Sequence, residues 1–150
     1  MVILMKIFDY FSYSLIAAAI IQVLCQLTKL IFYSIKDRRF TFRYLFSAGG
    51  MPSSHSAFVT ALTTSIALRN GLDSELFAIA FVFSAIIIYD AYRLRGTVQT
   101  HSKVLQELKK QSPAVAKIEI NEMVGHSIPE IIAGIITGAL FAVAVFLVIG

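Results

Sequence analysis

A single cysteine in 150 residues, Cys25, leaves this chain without an internal disulfide framework and gives no indication of a redox compartment. It lies within an apolar run, where a small buried core residue is the expected role. Histidine is scarce too: His55, His101 and His126 are all there is, and no His-x3-His or cysteine cluster supplies the ligand spacing of a metal site. No metal or other cofactor is expected. Internal repeats and low-complexity linkers are also missing. There is no sign of a cleaved signal peptide, because Lys6 and Asp9 precede an apolar run long enough to span and lacking a small-x-small exit. That run reads as a retained helix.

The chain carries a net charge of +4 and a pI near 9.3. Its charges flank long apolar runs instead of forming a basic patch with interleaved aromatics, so nucleic acid is not the expected partner. Anionic lipid or phosphate suits the pattern better. Apolar residues are abundant, at 57% with a mean hydropathy of +0.77, above the level of soluble domains. This is the composition of an integral, multi-pass membrane protein.

A spanning helix needs about 20 mostly apolar residues. The expected fold is an all-α membrane bundle, a single membrane-embedded domain over residues 1–150 with about four spans. They run from about Phe11 to Tyr33, Ser54 to Leu68, Glu75 to Tyr92 and Ile128 to Ile149. The second is short and carries Thr60, Thr63, Thr64 and Ser65, so it belongs among the other helices and not against lipid. Asn70-Gly71 ends it in a tight turn. Thr100 to Glu122 reads as a polar connector containing a separate short amphipathic interfacial helix, about Ser102 to Gln111, which Pro113 closes.

If the spans alternate in direction, residues 34–53, residues 93–127 and the start of the fourth helix share one side. Ten of the 13 lysines and arginines fall there, and the positive-inside rule places that side in the cytoplasm. Lys29, near the end of the first span, is expected to snorkel toward it. Tyr10, Phe11, Tyr13, Tyr33, Tyr44, Tyr89 and Tyr92 fall near span ends as belt aromatics. His101 is expected to be solvated or interfacial.

Three segments of the shared side are richer in polar groups than loops require. Ala48-Gly49-Gly50-Met51-Pro52-Ser53-Ser54-His55-Ser56 leads into an apolar helix, and amides at a helix start hold anions with help from the dipole. Ser53 or Ser54 as an ordinary N-cap is an equal reading. Gly125-His126-Ser127-Ile128-Pro129-Glu130 opens the fourth span, and Ser127 with Glu130 makes a capping box. The box leaves His126 unexplained: four residues before a carboxylate, it can donate one ring N–H to Glu130 and keep the other nitrogen basic. Tyr89 to Gln99 holds Asp90, within helical reach of Arg93, and Arg95, whose planar fork suits phosphate.

Together these segments resemble the type 2 phosphatidic acid phosphatase and vanadium-dependent haloperoxidase superfamily, in particular its small divergent membrane branch. That superfamily carries K-x6-R-P, then P-S-G-H, then S-R-x5-H-x3-D. Lys36 and Arg43 have the first spacing, with Tyr44 for proline. Pro52-Ser53-Ser54-His55 matches the second with serine for glycine, and His126 with Glu130 matches the third with glutamate for aspartate. The match covers roughly residues 36 to 138, most of the chain, with Gly134-x3-Gly138 as the last element of the ordered set. Ile120 stands where the superfamily has arginine, and Arg93 or Arg95 is the candidate substitute.

The resemblance implies a metal-independent phosphatase acting on a lipid phosphate or pyrophosphate. His126 would be the nucleophile forming a phosphohistidine, Glu130 its orienter and His55 the acid for the leaving oxygen. Lys36, Arg43, Ser53, Ser54 and one of Arg93 or Arg95 would hold the phosphoryl oxygens. The alternative is a non-catalytic membrane protein with a retained phosphate or headgroup pocket. A metal-dependent site or transporter built on His55, His126, Asp90 and Glu130 is opposed by the surrounding cations. Gly134-x3-Gly138 would pack helices within one chain or between chains, which leaves room for a homo-oligomer.

Overall fold

A computed structural model describes residues 12–42, 45, 50–111 and 126–149, apart from the side chains of Leu94, Arg95 and Gln99. Arg43, Tyr44, Pro113 and Ile120 lie outside the described residues, as does the Arg95 side chain. Among the described residues there are four helices: α1 (Tyr13–Lys36), α2 (Ser54–Asn70), α3 (Glu75–Gln111) and α4 (Ile128–Ile149). Helices α1, α3 and α4 are long and apolar enough to cross a membrane. Their outer faces expose Leu24, Phe32, Ile79, Phe83, Leu140 and Leu147. Such a surface suits lipid and would be a liability in water.

Helix α2, 17 residues long, is packed against all three others. Its composition explains this place: Ser54, Ser56, Ala57, Val59, Ala61, Thr63 and Ser65 are all buried, and such small side chains let neighbouring backbones approach. Gly71, at φ +86°, ends the helix, and its N–H donates to the Ala67 carbonyl.

Helix α1 runs antiparallel to α2. The Arg69 guanidinium at the end of α2 sits 4.9 Å from the ring centre of Tyr13 at the start of α1. Midway, Ile21 and Cys25 pack with Ala57 and Ala61, so Cys25 is a core residue.

Helix α4 runs parallel to α2. A Cβ at Gly134 would lie 2.5 Å from the Ser53 carbonyl oxygen, and one at Gly138 would run into the Ala57 carbonyl oxygen. One turn further along, Ala142 joins Ala57 and Ala61 in the core. Small residues at every fourth position of α4 thus face Ser53, Ala57 and Ala61, themselves four apart, and Gly134-x3-Gly138 is used within the chain.

Helix α3 is tied to α2 by hydroxyls. Thr63 Oγ1 and Ser84 Oγ stand 2.6 Å apart, Thr63 also reaches the Val59 and Ala80 carbonyls, and Ser84 donates to the Val59 carbonyl at 3.1 Å. Ser74 caps its start by accepting from the Phe77 N–H at 3.2 Å. One boundary differs from the sequence reading. The segment from Ser102 to Gln111 is no separate interfacial helix but the unbroken end of α3, 37 residues in all. Gly96, the sole glycine in it, costs only about 1 kcal/mol relative to alanine, too little to break a helix without proline. At 1.5 Å per residue α3 is about 55 Å long, so it extends well beyond a ~30 Å hydrocarbon core.

Candidate active site at two helix starts

The parallel packing of α2 and α4 brings their first turns together, and the Ser53 N–H donates to the Glu130 carbonyl at 3.0 Å. The segments carrying His55 and His126 are therefore joined backbone to backbone. Ser53 is the N-cap of α2: its hydroxyl accepts from the Ser56 N–H and, at 3.0 Å, from the Ser56 hydroxyl. Both Ser53 and Ser54 are buried.

At the start of α4 the capping account and the chemical account hold together, because Glu130 Oε2 serves both. It accepts from the Ser127 N–H at 3.0 Å and stands 3.1 Å from His126 Nδ1. A carboxylate can only accept, so Nδ1 carries the hydrogen and the Nε2 lone pair of a neutral ring is the basic one. The His126 side chain is fully buried, whereas that of Glu130 is 23% exposed. Two hydrogen bonds on one oxygen fix the carboxylate, and through it the ring.

A family model described as the Divergent PAP2 family matches residues 11–141. The chain belongs to that family. It is also similar to a protein of Bacillus subtilis (strain 168) described as the uncharacterized membrane protein YuiD. The two are 34% identical over 143 aligned residues, covering 86% of this chain and 90% of the relative. No solved structure matches.

The predicted site residues of this PAP2-family bundle are not all equally placed. His126 and Glu130 are brought together, Ser53 is bonded to the Glu130 carbonyl through its N–H, and Ser54 follows it as the first residue of α2. His55, in the first turn of α2, is half-buried. Lys36 at the end of α1 and Arg93 on α3 are exposed, as is His101. Among the described residues no group of three or more His, Cys, Asp or Glu is placed to hold a metal.

The sequence reading missed the contribution of α1. Gln22, Gln26, Lys29 and Tyr33 recur at helical spacing on one face, which turns toward the start of α2. Gln26 Nε2 donates to Ser54 Oγ at 3.2 Å. A Cβ at Gly50 would lie 2.5 Å from the Tyr33 hydroxyl oxygen, and Gly50 has φ +91°, so that position needs glycine twice over. Lys29 does not snorkel: it is 0% exposed, enclosed by the bundle and within electrostatic reach of Glu130. A polar residue every turn on an otherwise apolar span was the signal that would have exposed the stripe.

Beside the site lies an apolar cavity of about 850 Å³ between α2, α3 and α4. Its walls run from Leu72 and Phe77, at the α2–α3 turn, to Tyr92, Ile128 and Ile131 at the motif end. Ile131 follows Glu130 directly.

Proposed function

We propose that the chain is a metal-independent phosphatase acting on a lipid phosphate or pyrophosphate through a phosphohistidine. The observation that carries this reading is the 3.1 Å contact between His126 Nδ1 and Glu130 Oε2, made at two joined helix starts. Membership of the Divergent PAP2 family supports it. In the proposed reaction the His126 Nε2 lone pair attacks phosphorus and the bond to the leaving oxygen breaks. Glu130 stabilises the imidazolium-like ring as positive charge grows on it. His55 gives a proton to the leaving oxygen, and water then cleaves the phosphorus–nitrogen bond to release phosphate. Lys36, Arg43 and one of Arg93 or Arg95 draw in and hold the phosphoryl oxygens, with the Ser54 hydroxyl beside them.

The apolar cavity favours a substrate with a hydrocarbon chain, since a chain lying along it would hold its phosphate at the level of Ile128, next to the site. The surplus of lysine and arginine at this end favours a cytoplasmic orientation for it. A second reading, a headgroup-binding protein without turnover, is favoured by the complete burial of the His126 side chain. The test is phosphate release by purified, reconstituted protein from a panel of lipid phosphates and pyrophosphates, beside His126→Ala. Turnover lost in the variant supports the enzyme; equal turnover in both sinks the assignment of His126. Lipid-phosphate binding with no release from any member of the panel selects the second reading.

A further inference from the structure

Among the described residues Lys29 is the only buried lysine or arginine. Its ammonium carries three donors, and none meets an acceptor among the described residues. Burying an unpaired charge in a membrane bundle is among the costliest arrangements a sequence can adopt, and such residues mark functional positions by default. Glu130 does not relieve it. Its carboxylate acts on Lys29 through space, but Oε2 is held by His126 and by the Ser127 N–H. Among the described residues no Lys29–Glu130 ion pair forms.

Its position on α1 is equally specific. Three residues before it, Gln26 donates to Ser54, the first residue of α2; four residues after it, Tyr33 packs on Gly50. Lys29 thus lies between two residues that touch the segment leading into α2. The exposed Lys36 and Arg93 do not supply a cation from inside the bundle, whereas Lys29 does.

We propose that Lys29 is an anion-binding residue of this site, its ammonium donating to phosphoryl oxygens from within the bundle. This rests on the reading that the site takes a phosphoryl group. The ligand supplies the acceptors that the protein withholds, so the charge is costly in the empty protein and satisfied in the occupied one. A structural prop behaves in the opposite way. If Lys29 were held by the Gln26 side-chain carbonyl one turn away, removing it would weaken the fold.

The experiment uses the full chain in phosphatidylcholine nanodiscs, with orthovanadate as the phosphoryl analogue and calorimetry as the readout. Thermal unfolding of the same samples is measured without ligand. Lys29→Met should weaken vanadate binding about tenfold or more while raising the melting temperature, and Lys29→Arg should restore most of the affinity. Vanadate binding unchanged in Lys29→Met but lost in His126→Ala overturns the role of Lys29 and leaves the phosphatase reading standing. A lower melting temperature in Lys29→Met makes the residue a prop and overturns the proposal. If the unaltered protein neither binds vanadate nor releases phosphate, both readings fall together.

Discussion

Two buried polar clusters divide this bundle, and they are built on opposite principles. Between α2 and α3, Thr63 and Ser84 bond to each other and to the Val59 and Ala80 carbonyls, so the cluster is satisfied internally. Along the face of α1 that leads to the motif end, Lys29 Nζ and the side-chain carbonyls of Gln22 and Gln26 are buried with no hydrogen-bond partner among the described residues. Hydrogen-bond capacity left unused inside a membrane protein is costly, so the first cluster is readily understood as glue and the second as waiting for something. The contrast separates residues that hold helices together from residues that await a ligand, although both are polar and both are buried.

Changes at the two clusters should therefore register in different measurements. The largest effect is expected from Glu130→Gln, which keeps the shape of the site but removes the charge facing His126. Turnover of a lipid phosphate should fall by about 10²–10⁴-fold with little change in melting temperature. A fall of less than about threefold would remove Glu130 from the reaction. Next comes the seam common to both ends: Gly138→Ala puts a methyl group into the Ala57 backbone and should cost about 1–3 kcal/mol in detergent unfolding, with activity falling only as folded protein is lost. In the α2–α3 cluster, Thr63→Val should cost about 1 kcal/mol, because Ser84 loses a partner at 2.6 Å, while kcat/KM stays as it was. Smallest is Arg69→Ala, which removes the contact over Tyr13 at the far end. Its expected cost is about 0.5–1 kcal/mol of stability, with no change in phosphate release. Should Thr63→Val impair turnover at unchanged stability, the division between the clusters would collapse.

Much of this arrangement was legible in the sequence, for identifiable reasons. Helix α4 begins at Ile128 and ends at Ile149 as expected, because Ser127 and Glu130 form a strong start signal and the apolar run that follows has no breaker. The hydroxyls of α2 foretold its burial. The pairing of His126 with Glu130 was legible from their spacing of four across a helix start, where Glu130 sits in the first turn and His126 just before it. The length of α3 was not legible, since a switch from apolar to polar sequence at Tyr92 looks like a boundary, whereas the helix continues through it to Gln111. The fate of Lys29 was hidden for a related reason. A lysine one turn from the end of a span resembles an interfacial anchor, and only the packing of α2 and α4 against that face encloses it. The parallel pairing of α2 with α4 depended on small residues far apart in the chain, whose matching periods acquire meaning only once the two helices are side by side.

The cavity between α2, α3 and α4 is lined in part by Phe81, Tyr89 and Ile128, which are also exposed on the apolar outer surface of the bundle, a surface that suits lipid. A molecule entering there arrives by diffusing within the plane of the membrane and need never cross water. Its supply is then set by its mole fraction among the surrounding lipids. Diluting a suspension of vesicles should leave the rate per protein unchanged, while diluting the same molecule with inert phospholipid should slow it. Any ligand of this cavity belongs to a two-dimensional chemistry, in which the membrane serves as both container and solvent.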